Sequence, residues 1–169
     1  MFRRRRPHPD HGEPPNLYME LRTRMLATRP AEVGLAPSAR LPRVWAALME
    51  QGMDAGIASF VMVADGATSM YTSTGGGIIG GGQHQEVARA TLAFLDAAEA
   101  HLELLQPVDV PPLPRTGAVR FNVLTYGSPR SAEADESELA AGHVLTPLFY
   151  AGHRVITQLR LLDERRERR

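Results

Sequence analysis

Cysteine is absent from this 169-residue chain, which excludes disulfides, thiolate metal sites and a cysteine nucleophile. Lysine is absent too: all 19 basic residues are arginine. Schiff-base chemistry and a phosphate loop of the G-x-x-x-x-G-K-[ST] type are thereby excluded. A GC-rich genome explains the arginine bias more simply than a selected need for planar bidentate contacts. Long apolar runs are missing, and the longest falls well short of the roughly 20 residues of a membrane span. The opening Met1-Phe2-Arg3-Arg4-Arg5-Arg6-Pro7 has the charge of a signal peptide but no apolar segment after it, so the cytoplasm is the expected compartment. Neither sign of charge is in excess, with 19 basic and 19 acidic residues.

What is present fits one domain. A hydrophobic content of 43% is ordinary for a globular chain, and the length suffices for a sizeable core with some residues left for tails. Residues 1–15, with four prolines, four arginines and two histidines, read as a disordered basic tail. The domain is expected over 16–163, followed by a charged tail over 164–169. Basic ends could hold phosphates or an acidic membrane face. Phe2 is the sole aromatic among them, so a base-stacking nucleic-acid surface is unsupported and solvated tails are the better reading. An acidic cluster at Glu133, Asp135, Glu136 and Glu138 reads as a surface segment.

Periodicity supplies the elements. Asn16 can cap a short helix with Leu17, Leu21 and Met25 on one stripe, ended by Pro30. Pro42 suits the first turn of a second helix with an apolar face of Val44, Trp45, Leu48 and Met49, stopped at Gly52; Trp45 reads as a core anchor. Ile57 to Ala64 is apolar on both parities, Phe60 and Met62 facing one way and Ile57, Val61 and Val63 the other. That pattern predicts a strand covered on both sides. Asp65-Gly66 predicts a two-residue hairpin turn with positive φ at both central positions, returning through a polar strand from Ala67 to Ser73. From Gln83 or His84 a long helix keeps Val87, Thr91, Phe94, Ala98, Leu102 and Leu105 in register up to Pro107. Four prolines over 107–114 form a semi-rigid connector, and Ala118 to Tyr126 alternates as a half-exposed strand. The stretch 146–162 suits either a helix carrying an internal Gly152 or a hairpin turning at Ala151-Gly152, with the helix preferred at a cost of about 1 kcal/mol. The predicted class is α+β: a small antiparallel sheet, built from the central hairpin 57–73 plus strand 118–126, packed against helices.

The densest chemical signal is the run Gly75-Gly76-Gly77-Ile78-Ile79-Gly80-Gly81-Gly82-Gln83-His84. Glycine loses more backbone freedom on folding than any other residue, so six of them need a compensating role. The run formally contains G-x-G-x-x-G. However, a dinucleotide fold opens its helix inside that motif and places an acid about 20 residues on at a strand end, and neither holds here. A looser reading has the amides of Gly75, Gly76, Gly77, Gly80, Gly81 and Gly82, with His84 at a helix start, holding an anion or other small ligand. The competing reading is structural: glycines allow a tight reversal or a close approach of two backbones. Ile78 and Ile79 favour that one, because large aliphatics in such a loop should be buried in a groove of the same chain or of a second subunit. His84 is the best candidate for a titrating residue, with helix capping as the simpler role.

For hydrolysis, Ser73, Thr74, His84 and Asp65 supply atom types, but there is no G-x-S-x-G elbow. No H-E-x-x-H occurs. His8, His11, His101, His143 and His153 make no convincing ligand set, so no metal, cofactor or catalytic residue is nominated.

The stretch Gly56-Ile57-Ala58-Ser59-Phe60-Val61-Met62-Val63-Ala64-Asp65-Gly66, then Ser73, then the alanine- and leucine-rich helix from Val87 to Leu105, resembles the roadblock/longin group. The resemblance covers about a third of the chain. It implies a profilin-like layering of helix and sheet, and a non-enzymatic homodimer or scaffold contacting small Ras-like GTPases or cytoskeletal partners. The glycine-rich loop, the proline connector and the stretch after Tyr126 depart from that pattern. Two function classes stand: a non-catalytic interaction or regulatory module that self-associates, and a small-molecule or phosphate-binding protein, possibly an enzyme, using the glycine loop and His84.

Overall fold

The computed structural model describes residues 16–169; the tail expected over 1–15 lies outside them. The class is α+β, as the sequence indicates. Its centre is a seven-stranded antiparallel sheet: β1 (Val44–Met53), β2 (Gly56–Val63), β3 (Thr68–Thr72), β4 (Gly77–Ile78), β5 (Gln106–Pro107), β6 (Ala118–Thr125) and β7 (Arg130–Asp135), in the order β4-β3-β2-β1-β6-β7-β5. The helices are α1 (Leu17–Ala27), α2 (Gln85–Ala100), the short α3 (Glu136–Ala140) and α4 (Thr146–Glu167). Alternation along the strands separates two cores. Ala47, Met49, Phe60, Met62 and Phe121 pack with Phe94 of α2 and Val155 and Leu159 of α4. Trp45, Leu48, Val61 and Leu124 pack with Tyr18 and its neighbours on α1. The sheet is thus covered by helices on both faces, with Phe60 and Met62 opposite Ile57, Val61 and Val63 as the parity of β2 requires.

The segment after Pro42 is a strand, not the expected helix. Ala, Leu and Met favour helix on their own, but Val44 to Met49 are apolar on every position and all buried. Placed between β2 and β6, they fill both faces of the sheet's central strand, and that packing overrides local propensity. A bulge between Val44 and Ala46 lets Trp45 and Ala46 share the α1 side. Gly52 lies inside β1, where a Cβ would overlap the carbonyl of Arg115. It permits a close backbone approach rather than stopping a helix.

Other boundaries also moved. The turn after β2 has positive φ at Gly66 alone (89°); Gly66 N–H donates to Val63 O and Val63 N–H to Ala67 O. The Asp65 carboxylate accepts from the Ala67 amide at 2.9 Å, so Asp65 stays at negative φ and the loop is the longer bulged kind. The acidic segment expected on the surface after Tyr126 contains β7. There Glu133 accepts from both Arg115 and Arg120 and Asp135 from Arg115, so its charges are paired across the sheet. The stripe from Val87 to Leu105 is buried as expected, although α2 ends at Ala100 and a 3-10 turn at Leu102–Leu104 carries the chain towards β5. The ambiguous 146–162 is helical, and α4 continues through Glu167. A Cβ on Gly152 would strike Met49 Sδ, so the internal glycine lets α4 lie close against the sheet.

Candidate functional site

The glycine run is divided by the fold. Gly75 (φ 98°) and Gly76 (φ 87°) form the tip of the β3–β4 hairpin and have open space where a Cβ would stand. Gly77, Gly81 and Gly82 are pressed against backbone: a Cβ would meet the carbonyls of Met70, Thr68 and Gly66 respectively, and at Gly81 also Leu159 of α4. Gly80 takes the left-handed conformation (φ 75°) that starts a 3-10 turn at Gly81–Gln83. Several polar groups of the run serve its own turns. Gly75 N–H donates to Thr72 O, Gln83 N–H to Gly80 O and His84 N–H to Gly81 O. Ile78 is buried at 7% exposure in the core shared with α2 and α4, whereas Ile79 is 77% exposed.

His84 occupies the N-cap position of α2, but its side chain makes no capping bond. It lines a cleft of about 290 Å³ with Gln83, Gln85, Gln158 and Arg165. Gly75 and Gly76 line a different cleft of about 470 Å³. That one lies between Asn16, Leu17, Tyr18 and Leu21 of the α1 region and the chain from Tyr71 to Gly76. The residues grouped by sequence therefore sit in two separate clefts. Among the described residues, no cluster of three or more His, Asp or Glu is arranged to hold a metal.

Between α1 and the sheet lies a buried polar network that the sequence reading did not nominate. Glu50, in β1, is fully buried. Its Oε1 accepts from Arg22 Nε and Ser59 Oγ, both at 2.8 Å, and its Oε2 from Arg22 Nη2 at 2.8 Å and Asn122 Nδ2 at 2.9 Å. The Tyr18 hydroxyl lies 2.8 Å from Ser59 Oγ. Arg22 Nη2 also donates to the carbonyls of Pro111 and Pro112, so the proline connector closes the slot. Ser131 Oγ donates to Asn122 Oδ1 at 2.8 Å and accepts from Arg120 Nη1 at 3.0 Å, extending the row to β7. Cross-strand pairing brings these groups together: Glu50 is registered opposite Ser59 and Arg120, and Asn122 opposite Ser131.

Electrostatics follow from burial. Burial alone would lower the pKa of Arg22, but the hydrogen bonds and charge of Glu50 outweigh it and hold Arg22 above its usual value. Burial lifts the Tyr18 hydroxyl to about 12, against its bond with Ser59 and with the help of the Glu50 charge. Burial raises Tyr71 also, followed by the Glu50 charge. The Tyr71 hydroxyl is buried without a hydrogen-bond partner, its ring edge-on to Tyr18 at 5.6 Å. Chemically the network is saturated, since both Glu50 oxygens are filled by a bidentate arginine and neutral donors. It locks α1 to the sheet and leaves the carboxylate no free lone pair directed at a substrate.

A sequence signal for this network existed. Glu50 is the one charged residue between Val44 and Met53, and a carboxylate inside a buried strand requires a cation. Read as a helix with an apolar face of Val44, Trp45, Leu48 and Met49, the segment raised no such requirement. The inner stripe of α1 is Tyr18 and Arg22, whereas Leu17, placed on the expected stripe, is 64% exposed. No family model, curated protein or solved structure matches this chain.

Proposed function

We infer that this protein is a non-catalytic interaction module that self-associates through the β3–β4 end of its sheet. The observation that carries this reading is Ile79, a large aliphatic side chain 77% exposed immediately after the outermost strand. Its neighbour Ile78 plugs the core of its own chain, which leaves Ile79 for a second copy. The two sheet edges also differ. At the β5 edge, Pro107 lies in the strand and Pro111, Pro112 and Pro114 follow; these residues have no N–H to offer another strand and blunt it against pairing. The β4 edge carries no proline and ends in a glycine hairpin. The saturation of Glu50 supports a structural rather than a catalytic role for the buried network.

Size-exclusion chromatography with light scattering at about 50 µM tests the reading. The chain is expected as a dimer, and Ile79→Asp as a folded monomer whose melting temperature no longer depends on protein concentration. A wild-type monomer, or a dimer indifferent to Ile79→Asp, overturns it. Ile78→Asp is unsuitable because it places a charge in the core.

A further inference from the structure

The outward face of α4 carries a row of arginines held in place by the fold. The inward side of the helix is fixed by Leu148, Gly152, Val155, Leu159 and Leu162, all buried. Steps of three and four residues then put Tyr150, Arg154, Thr157, Leu161, Arg165 and Arg168 in one row on the opposite side. Tyr150 is 52% exposed, Leu161 is half-buried and the other four are exposed. The sequence placed Arg165 and Arg168 in a charged tail, whereas α4 runs to Glu167 with Arg168 as its C-cap, so both stand in line with Arg154. Among the described residues, the ion pair made within α4 joins Arg160 to Glu164, and Arg154, Arg165 and Arg168 pair with no carboxylate. Attraction to the helix dipole accounts for arginines in the last turn, but not for Arg154 near the middle of the helix. Leu161 and Arg165 also line the cleft of about 290 Å³ beside His84. The carboxylate lining that cleft, Glu86, is bonded to Arg89.

We propose that this face docks an acidic segment of a partner protein, with carboxylates on Arg154, Arg165 and Arg168 and apolar side chains against Tyr150 and Leu161. From Arg154 to Arg168 the helix rises about 21 Å, the reach of about six extended residues. Arginine and tyrosine side by side on an exposed face are the composition of protein interfaces. A nucleic acid fits worse, because its uniform charge would also meet Glu164 on this face and Asp163 and Glu167 beside it. A peptide carries carboxylates only where the arginines stand. Insertion into a lipid surface needs an apolar helix face, and that side of α4 is buried in the core. The proposal does not depend on self-association, because it uses α4 and not Ile79.

The test is a titration of the ¹⁵N-labelled full-length chain with acetyl-(Glu-Leu-Glu)3 amide, followed by amide chemical shifts. Acetyl-(Gln-Leu-Gln)3 amide is the uncharged control, and a DNA duplex of about 12 base pairs is the nucleic-acid arm. Saturable shifts confined to the α4 row and the neighbourhood of His84 are expected below about 1 mM. Arg154→Glu should weaken binding at least about fivefold and Tyr150→Ala at least about threefold. Arg24→Glu makes the same charge change at an exposed position of α1 and should leave the affinity within about twofold. Unchanged amide positions of Phe94 and Phe121 establish that each variant is folded. Absence of saturable shifts, an equal response to the glutamine peptide, tighter binding of the duplex, equal weakening by Arg154→Glu and Arg24→Glu, or unchanged affinity in Tyr150→Ala overturns the proposal. Light scattering on the same samples reads the oligomeric state separately, so failure of peptide docking and failure of self-association are told apart.

Discussion

Replacing Arg22 by methionine removes the only cation bonded to Glu50 among the described residues while keeping most of the arginine stem's packing volume. In the native chain the pair is bidentate, 2.8 Å at both contacts, with side-chain exposures of 5% and 0%. Removing one partner of such a pair leaves an uncompensated buried charge, at a cost of about 3–5 kcal/mol. In a chain of this size 1 kcal/mol corresponds to roughly 2–4 °C in Tm, so the expected fall is about 6–20 °C. Thermal melts and urea titrations measure it. A second substitution separates the charge from the packing: Glu50→Gln keeps the shape and an acceptor for Ser59 but removes the charge. The double variant Arg22→Met/Glu50→Gln should be more stable than the two single effects added together, by about 2 kcal/mol. A Tm fall under about 3 °C for Arg22→Met, or strict additivity in the cycle, would refute the view that this pair locks α1 onto the sheet.

Two further outcomes follow from the same geometry. Gly82→Ala should destabilise by more than about 2 kcal/mol, because its Cβ would overlap the Gly66 carbonyl. Gly75→Ala meets open space and bears only the strain of positive φ, about 1–2 kcal/mol; equal costs in urea melts would show that crowding is not what the inner glycines relieve. Glu99 supplies a pH dependence. Burial would raise its pKa, but the Arg43 side chain and the Val44 and Arg43 amides outweigh burial and hold it below the usual 4.5. A carboxylate lowered by folding contributes its stability above the unfolded value and loses it as pH falls through the folded one. Melts between pH 7 and pH 3 should therefore steepen below about 4.5 in the wild type and less so in Glu99→Gln; identical profiles would count against this assignment.

The legibility of the fold tracks how local its cause is. The stripe from Val87 to Leu105 depends on one helix facing one core and appears in the chain as periodicity, whereas Ile57 to Val63, apolar on both parities, was marked as a strand by its shortness and by the Asp65-Gly66 turn that closes it. The glycine run was visible as needing a backbone role, but only the fold divides it into positive-φ positions at 75, 76 and 80 and close approaches at 77, 81 and 82. The segment 44–53 misleads because its periodicity is absent rather than helical: a strand buried on both faces has no polar side to mark it. Once that segment was placed in a helix, the meaning of Glu50 was lost with it.

The sequence alone determined α2, the β2–β3 hairpin and the helical preference of α4; it also marked β6 as a strand, but that strand is buried on both faces rather than half-exposed, with Asn122 enclosed by the Glu50 network. It also determined what chemistry is impossible, through the missing cysteine and lysine. The tertiary structure decided the matters that turn on distant partners. Arg22 meets Glu50 across 28 positions, and Glu50 in turn accepts from Asn122 across 72. Gly75 and His84 are drawn into different clefts, and two adjacent isoleucines are split between the core and the surface. Pairing of this kind depends on strand order, and strand order is a property of the whole chain that no local repeat encodes.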